Sequence, residues 1–351
     1  MEEINYPAIA TQFNEVVKKR NSYWFYGQIR SVLPFIKKLV TTLDIEELKF
    51  NKLDLSVGKM QTYVLDFLYD LDPELEEKVA NVLEDLKGTL LYVGKPTEKG
   101  GENFVGLRKT KKNTVVDIQI HPRNDSTGIL VVGHEYGHLL SQRIQQHCQQ
   151  KTDCLGEIES LFIERLFADW LLKKGFISKE ERKKFDTKWK NNLLGNARGI
   201  YEEWVILSNL KQPTFGDDLR SFEQRLISDG KLSLLDLLKK RMVVMIKDDD
   251  GQQKHGEYMF RYVVGEIVAE ALYQEYKKEP DLTLARFKEF LAHNAEYEFF
   301  KKKQVNKDGQ VVENLVLDKA EMQKCFTTLL GEDYKAKLTR GAELFIKEKT
   351  V

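Results

Sequence analysis

The sequence predicts a mainly α-helical protein with a small antiparallel β-sheet. Apolar residues recur at helical spacing along most of the 351 residues, whereas the region from residue 88 to about 126 contains short β-branched and alternating runs. Hydrophobic residues make up 42% and charged residues 31%, an ordinary globular composition that excludes a disordered or fibrous protein. We therefore expect an N-terminal helical region over 1–87 and a second domain over 88–351.

The N-terminal region is predicted to be helical from its periodicity and from one helix start. Residues 8–50 carry apolar side chains at helical spacing. Asp72 and Pro73 are residue types that favour the N-cap and the first position of a helix, so a helix is predicted over 74–86.

Three strands are predicted next, and a helix start follows them. Two glycines, Gly100 and Gly101, mark a turn within this region. The polar residues at 124–127 include N-cap types, which predicts a helix that continues to about residue 146. The predicted strands are Thr89–Val93, Phe104–Leu107 and Thr114–Ile120.

The rest of the chain is predicted to be helical apart from one hairpin. The hairpin is centred on the turn sequence at 306–309. Acidic residues interrupt the basic stretch 179–190, which we expect to form a solvated helix face. The predicted helices cover residues 155–174, 179–192, 198–211, 217–228, 233–246, 256–278, 283–297, 318–329 and 333–348.

Charge and cysteine content limit the class of protein. The 55 Lys and Arg residues balance 55 Asp and Glu residues, so no net field attracts a nucleic acid or an anionic membrane. No apolar run approaches the roughly 20 residues of a membrane span, and residues 1–5 lack a signal-peptide pattern. We therefore expect a cytoplasmic protein without a nucleic-acid or membrane partner. Pairing of Cys148 with Cys154 stays open, as does the oligomeric state.

The segment from His134 to His138 has the pattern His-Glu-x-x-His. Residues four apart share one face of a helix, so both imidazoles can reach one zinc ion. Glu135 would lie beside such an ion, where a general base for zinc-bound water belongs. The surrounding residues are apolar, and polar side chains in a buried helix need partners. We therefore predict His134 and His138 as ligands of one Zn²⁺ per chain and Glu135 as the catalytic base.

A third metal ligand is predicted in the next helix. Glu157, Ser160 and Glu164 form a polar stripe on an otherwise apolar segment. We predict Glu157 as the ligand, although the helix dipole alone also favours a carboxylate at a helix start. Glu164 is predicted to orient a ligand histidine. Glu159 lies off the stripe and is expected to be solvated.

Another polar stripe is predicted further along the chain. His255, Tyr258 and Tyr262 would share one face of a helix, and Gly265 continues that face and permits close approach of another element. Tyrosine hydroxyls and a histidine donor can stabilise the oxyanion formed in amide hydrolysis. Tyrosines at this spacing are also common in protein cores, so the spacing alone leaves their role open.

Together these motifs resemble the thimet oligopeptidase and oligoendopeptidase F family of zinc peptidases. That family has His-Glu-x-Gly-His followed by Glu-x-x-Ser-x-x-x-Glu, which 134–138 and 157–164 match. Residues 258–265 are similar to its Tyr-x-Tyr-Lys-Tyr-Ala-Thr-Gly segment. The resemblance covers about residues 90–345 and is that of a shortened member, since family members are usually much longer.

The resemblance implies a gluzincin-type zinc peptidase with its metal site on two adjacent helices. It implies catalytic roles for Tyr262 and His255 and a substrate-binding role for Tyr258. It also implies that the substrate pairs with the edge of strand 115–120, below a glycine-bearing hairpin at 100–101.

The sequence therefore predicts a zinc-dependent endopeptidase that hydrolyses peptides or unfolded segments. Zinc-bound water, deprotonated by Glu135, would attack the peptide carbonyl. One alternative is a dedicated protease, such as a toxin or effector, that cuts one protein target. The other is a zinc-containing binding scaffold that has lost catalysis. Hydrolysis of generic peptides separates the leading hypothesis from both alternatives.

Overall fold

The protein is mainly helical, as predicted, with one small sheet and one hairpin. A computed structural model describes residues 33–101, 103–110, 113–141, 155–209, 224, 227–228, 230, 255–293, 300–305, 311–316 and 319–347. Its elements in chain order are α1 (Leu33–Thr42), α2 (Val57–Leu71), α3 (Pro73–Glu84), β1 (Thr89–Val93), β2 (Phe104–Lys109), β3 (Thr114–Ile120), α4 (Ser126–Leu139), α5 (Ile158–Lys173), α6 (Lys179–Asn209), α7 (His255–Tyr276), α8 (Pro280–His293), β4 (Phe300–Val305), β5 (Val311–Val316), α9 (Lys319–Leu330) and α10 (Tyr334–Lys347).

The chain forms two compact units, each assembled from separate stretches of sequence. One unit comprises Glu46–Asn191, Val264–Lys301 and Leu315–Val351, and it contains the three-stranded sheet together with α4 and α5. The other unit comprises Met1–Ile45, Asn192–Val263 and Lys302–Asn314, so α6 and α7 each contribute residues to both units. The proposed division of the sequence into 1–87 and 88–351 stays a prediction.

Helices α2 and α3 begin where side chains satisfy free backbone N–H groups. The Ser56 hydroxyl accepts a hydrogen bond from the backbone N–H of Lys59 at the start of α2. At the start of α3, the Asp72 carboxylate accepts one from the backbone N–H of Glu74, and Pro73 occupies the first turn. This is the helix start that the sequence predicts. Both helices bury an apolar face that consists of Met60, Val64, Phe67, Leu68, Leu75 and Val79.

The small sheet is present as predicted, but it is mixed rather than antiparallel. Strand β3 lies in the centre, antiparallel to β2 and parallel to β1. Alternating apolar residues predict a strand but do not set its neighbours, and the residues between β1 and β2 carry the chain to the far side of β3. Because both edges of β3 are already paired, it is not the edge strand to which the resemblance assigned the substrate.

Helices α4 and α5 form the centre of the larger unit. Asp125 is the N-cap of helix α4, and its carboxylate accepts a hydrogen bond from the backbone N–H of Thr127. It ends at Leu139 rather than near residue 146, and residues 142–154 lie outside the described part of the chain. Nearly all of α5 is buried, from Ile158 to Ala168. The two helices pack directly on each other.

The remaining predictions differ in their outcomes. Helices predicted separately at 179–192 and 198–211 form one helix, α6, because the residues between them continue the helical backbone. Strands β4 and β5 pair as the predicted hairpin. Most residues of the two helices predicted over 217–228 and 233–246 lie outside the described part of the chain. Cys148 and Cys154 also lie outside it. Within the described part, no helix has both the length and the apolar character that a membrane crossing requires.

An ion cluster around the fully buried Arg165 joins α5, α6 and α7. The Arg165 guanidinium donates to Glu266 Oε2 at 2.6 Å and to Glu270 Oε2 at 3.2 Å. It also lies 4.6 Å from the ring centroid of Trp189 in α6. Removal of one partner from such a buried pair typically costs about 3–5 kcal/mol, because the other charge is left uncompensated. The cluster therefore constrains the relative placement of these three helices.

The first testable prediction concerns the contact between α4 and α5. A Cβ atom at Gly137 would lie 2.7 Å from Ser160 Cα, so Gly137→Ala should lower the free energy of unfolding by about 1–3 kcal/mol. The matched control is Gly195→Ala in α6, where a Cβ would meet nothing within 4 Å. That substitution should raise stability by about 1 kcal/mol, because alanine favours a helix interior. Denaturant unfolding measures both, and equal effects would contradict the close packing.

Candidate metal centre

Helix α4 places His134 and His138 one turn apart on the same face. Their ring centroids lie 4.9 Å apart, and the ring planes are nearly perpendicular. The side chains are only 13% and 15% exposed. Each histidine directs Nε2 toward one carboxylate and Nδ1 toward another. The predicted sharing of one helix face by the two histidines is therefore observed.

Glu157 is the carboxylate between the two histidines. Its Oε2 atom lies 3.3 Å from His134 Nε2 and 3.6 Å from His138 Nε2. Glu157 occupies the N-cap position of α5, yet its side chain makes no capping hydrogen bond. Capping of α5 therefore does not explain why this side chain is directed toward the two imidazoles. Ligand atoms of His134, His138 and Glu157 all lie within 4.8 Å of one another.

Glycines allow these three side chains to approach. Gly137 lies in the part of α4 that carries the histidines and faces α5, where a Cβ would contact Ser160 Cα. Gly265 lies in α7 against the site, where a Cβ would be 2.8 Å from Glu157 Cβ. Close approach at Gly265 is what the sequence predicts. Larger residues at either position would displace Glu157 or the helix that carries the histidines.

Glu164 orients His134. Its Oε2 atom lies 3.1 Å from His134 Nδ1, while its Oε1 atom accepts from Lys188 Nζ at 2.6 Å and from Trp189 Nε1 at 2.8 Å. Burial opposes ionisation, but the charge of Lys188 and the hydrogen bond from His134 outweigh it and hold the pKa of Glu164 far below its usual value. An ionised carboxylate only accepts, so Nδ1 of His134 carries the proton toward it.

Glu159 is buried, which corrects the expectation that it is solvated. Only 4% of its side chain is exposed, and its Oε1 atom lies 3.9 Å from His138 Nδ1. Its Oε2 atom has no hydrogen-bond partner among the described residues. Helical spacing places Glu159 off the polar stripe, but the first turn of α5 is surrounded on all sides, and a residue off the stripe there is still buried.

Lys188 and Trp189 are site neighbours that the sequence analysis did not identify. They belong to the basic stretch 179–190, for which the sequence predicts a solvated face. Instead Arg182 and Lys190 are buried, and Lys188 directs its ammonium group to Glu164. The tryptophan within this stretch was the available signal, because an indole in a row of charged residues indicates that one side of the helix is covered.

Burial and neighbouring charges shift the pKa of the central groups in a consistent direction. Burial lowers the pKa of His134, but hydrogen bonds with Glu157 and Glu164 raise it well above its usual value. Burial also lowers the pKa of His138, but the charge of Glu157 and the contact with Glu159 outweigh it and raise this pKa above its usual value. Burial raises the pKa of Glu135, and the two histidines oppose that shift. The cluster therefore favours positive charge at the two imidazoles.

The chemistry of these donors fits a divalent metal ion. Two imidazole nitrogens and one carboxylate oxygen are the protein ligands of many catalytic zinc sites, which leave a further position open. Zinc lies about 2.0–2.2 Å from such atoms, which is compatible with donor atoms that all lie within 4.8 Å of one another. Carboxylates beside Nδ1 of each ligand histidine are also usual at zinc sites. His134, His138 and Glu157 are therefore the residues that could hold an ion here.

Three other predicted site residues lie in α7. His255 and Tyr258 are in its first turns, and their side chains lie outside the described part of the structure. Tyr262 is half-buried, and the Arg261 guanidinium lies 5.5 Å from its ring centroid. The catalytic and substrate-binding roles assigned to these residues stay predictions.

No protein-family model and no curated protein matches this chain. Among solved structures, it is similar to a protein from Bacillus anthracis str. Ames assigned as an oligoendopeptidase F, with a TM-score of 0.50, 11% identity and coverage of 100% of this chain and 58% of that one. A second similar structure is a protein from Chlamydophila abortus assigned as a peptidase, with a TM-score of 0.47 and 16% identity. The match covers 99% of this chain and 55% of that one. A third is PZ peptidase A with inhibitor 2, with a TM-score of 0.45 and 14% identity. The match covers 94% of this chain and 58% of that one.

The chain thus spans less than two thirds of the length of each of these proteins. At 11% identity, the similarity to the Bacillus anthracis protein concerns the fold and not the chemistry. The fold of this chain is one that occurs in a protein assigned as a peptidase.

Proposed function

We propose that this protein is a zinc-dependent endopeptidase. The observation that carries the proposal is the meeting of His134 Nε2, His138 Nε2 and Glu157 Oε2 in a buried cluster beside Glu135. Two histidines and a glutamate with an adjacent second glutamate form the site type of metal-assisted peptide hydrolysis. The shared fold with a protein assigned as an oligoendopeptidase supports the same reaction class by analogy.

A zinc ion at this position would supply Lewis acidity toward the scissile carbonyl and toward a water molecule. Glu135 would accept the proton of the attacking water and donate it to the leaving amine. Its burial raises its pKa, which makes the carboxylate a better proton acceptor near neutral pH than a solvated glutamate. His134, His138 and Glu157 would hold the ion, and Glu164 would fix the orientation of His134.

Tyr262 is proposed to donate a hydrogen bond to the developing oxyanion. It precedes Gly265 by three residues in α7, a spacing that places both on one helix face. Gly265 itself lies against Glu157, the proposed ligand. Tyr258 is proposed to bind substrate and His255 to assist catalysis on the basis of the family resemblance.

The proposed substrate is an extended peptide that pairs with β2. Strand β2 pairs with β3 on one side only, and among the described residues no strand covers its other edge. Both β2 and β3 contact α4, the helix that carries the two histidines. An open strand edge binds an extended chain through backbone hydrogen bonds. Peptides and unfolded segments, which can extend fully, therefore fit this edge better than folded proteins.

Metal content tests the proposed ligands. The purified protein should contain about one zinc ion per chain, and Glu157→Ala should lose most of it, because two ligands hold zinc far less firmly than three. Glu135→Gln is the matched control, since it alters the neighbouring carboxylate that is not proposed to bind zinc. Elemental analysis measures both variants. Full zinc occupancy in Glu157→Ala would show that Glu157 is not a ligand.

Hydrolysis of a quenched peptide library tests the proposed base. Glu135→Gln preserves shape and removes proton acceptance, so it should retain zinc and lose at least ~10²–10⁴-fold in rate. Glu181→Gln, which changes a buried carboxylate that accepts from Ser126 at the opposite end of α4, should keep its activity. If Glu135→Gln hydrolyses peptides at the unaltered rate, the mechanism is wrong. If the unaltered protein binds zinc but cleaves no peptide, a dedicated protease or a binding scaffold replaces the proposal.

Steady-state kinetics test Tyr262. Tyr262→Phe deletes one hydroxyl, and loss of an oxyanion donor typically lowers kcat by ~10²–10³-fold, or about 3–4 kcal/mol, with little change in KM. The control is Tyr273→Phe in the same helix, where the deleted hydroxyl donates to Asp169 Oδ2 at 2.6 Å. That variant should keep kcat. Equal kcat values for the two variants would mean that Tyr262 is structural.

A further inference from the structure

The two histidines of the candidate metal centre are supported unequally. His134 directs Nδ1 to Glu164, which is itself held by Lys188 and Trp189. His138 directs Nδ1 to Glu159, whose Oε1 atom is 3.9 Å away and whose Oε2 atom has no hydrogen-bond partner among the described residues. Both carboxylates lie in α5 and both are buried, at 3% exposure each. Each imidazole therefore has a carboxylate behind it, but only one of these carboxylates is fully bonded.

A buried carboxylate with an oxygen that lacks a hydrogen bond is costly. Desolvation of an ionised or polar group without compensation costs free energy that an apolar residue of similar size would not lose. The start of α5 offsets part of this cost, because a carboxylate in the first turn is favoured by the helix dipole. The dipole does not require the side chain to turn toward His138, however. The direction of Glu159 therefore needs an explanation of its own.

The geometry points to Glu159 as a positioning residue for His138. We infer that, when a cation is bound to Nε2 of His138, Glu159 accepts a hydrogen bond from Nδ1–H of the same ring. This hydrogen bond fixes the orientation in which Nε2 is the ligand atom. A contact of 3.9 Å is within reach of a hydrogen bond after a small rotation of either side chain. Glu159 does not bind the ion itself, because it faces the nitrogen on the opposite side of the ring from Glu157. This inference rests on the proposed metal site.

The inference goes beyond the polar stripe of the sequence. Glu157, Ser160 and Glu164 share that stripe, and Glu159 does not. Glu159 would position His138 in the way that Glu164 positions His134. The start of α5 would then supply one metal ligand, Glu157, and one carboxylate for each of the two histidines. Because His138 has no counterpart to the Lys188 and Trp189 network among the described residues, the loss of Glu159 should affect its orientation strongly.

The test is zinc affinity in the full chain, measured by competition with a chromophoric chelator. Glu159→Ala should weaken zinc binding by ~10–100-fold, which is typical for loss of a carboxylate behind a ligand histidine. Glu159→Gln retains an oxygen acceptor, so its affinity should lie much closer to that of the unaltered protein. Asp169→Asn removes a carboxylate from the same helix, where it binds Arg182 and Tyr273, and should leave zinc affinity unchanged.

A second measurement separates positioning from general destabilisation. The visible absorption of the cobalt-substituted protein reports ligand geometry and should change in Glu159→Ala and not in Asp169→Asn. Should Glu159→Ala fail to fold, nitrogen NMR of the zinc-loaded, unaltered protein gives the protonation of the His138 ring. A proton on Nδ1 with Nε2 bound to zinc supports the inference, and coordination through Nδ1 overturns it.

Failure of the inference differs from failure of the proposed function. If the unaltered protein binds zinc and cleaves peptides, while Glu159→Ala shows the same zinc affinity and the same cobalt spectrum, only the role of Glu159 is wrong. If the unaltered protein takes up no zinc, the metal site itself is wrong, and the inference falls with it.

Discussion

Helices α4 and α5 approach each other at glycines, and the geometry of the candidate site depends on this approach. Gly133 accommodates the Phe167 ring, and Gly137 lies against the backbone of Ser160. The histidines flank Gly137 in sequence, and Glu157 begins the helix on the other side of the contact. A separation larger by one methyl group would move the carboxylate away from both imidazoles. The close packing of α4 and α5 and the short distances between Glu157 and the two imidazoles therefore depend on the same small residues.

The electrostatics of the larger unit follow from that packing. Four carboxylates, from Glu135, Glu157, Glu159 and Glu164, are buried around two imidazoles, and one ammonium group from Lys188 reaches only the last of them. A buried excess of negative charge is unfavourable unless a cation or bound protons compensate it. This arrangement is hard to explain as a means of stabilising the fold. It fits a site that could hold a divalent cation. The Arg165 cluster links the same helix α5 to α6 and α7.

Sequence reasoning succeeded where spacing along one helix decides the outcome. The shared face of His134 and His138, the helix start at Asp72 and the close approach at Gly265 all follow from local patterns. It failed where the answer depends on which elements meet in space. The parallel pairing of β1 with β3 arises from a connection that no alternation pattern specifies.

The same limit explains the errors at the site. The sequence predicts a solvated Glu159 because this residue lies off the polar stripe, but α5 is covered on every side in its first turns. The charged stretch around Lys188 predicts a solvated face, yet α6 brings Lys188 to Glu164 in another helix. In both cases the local pattern predicts exposure, but another helix covers the charged side chain and supplies a polar partner for it.

Zinc K-edge X-ray absorption of the metal-loaded protein tests the central claim most directly. The account predicts a first shell of nitrogen and oxygen only, with two imidazole nitrogens at about 2.0–2.1 Å and the remaining ligands at about 2.0–2.2 Å. In Glu159→Ala the imidazole scattering should become more disordered, and in Glu157→Ala the shell should lose an oxygen or the metal. A shell that contains sulfur, or one with fewer than two imidazoles, would place the metal elsewhere and contradict the account.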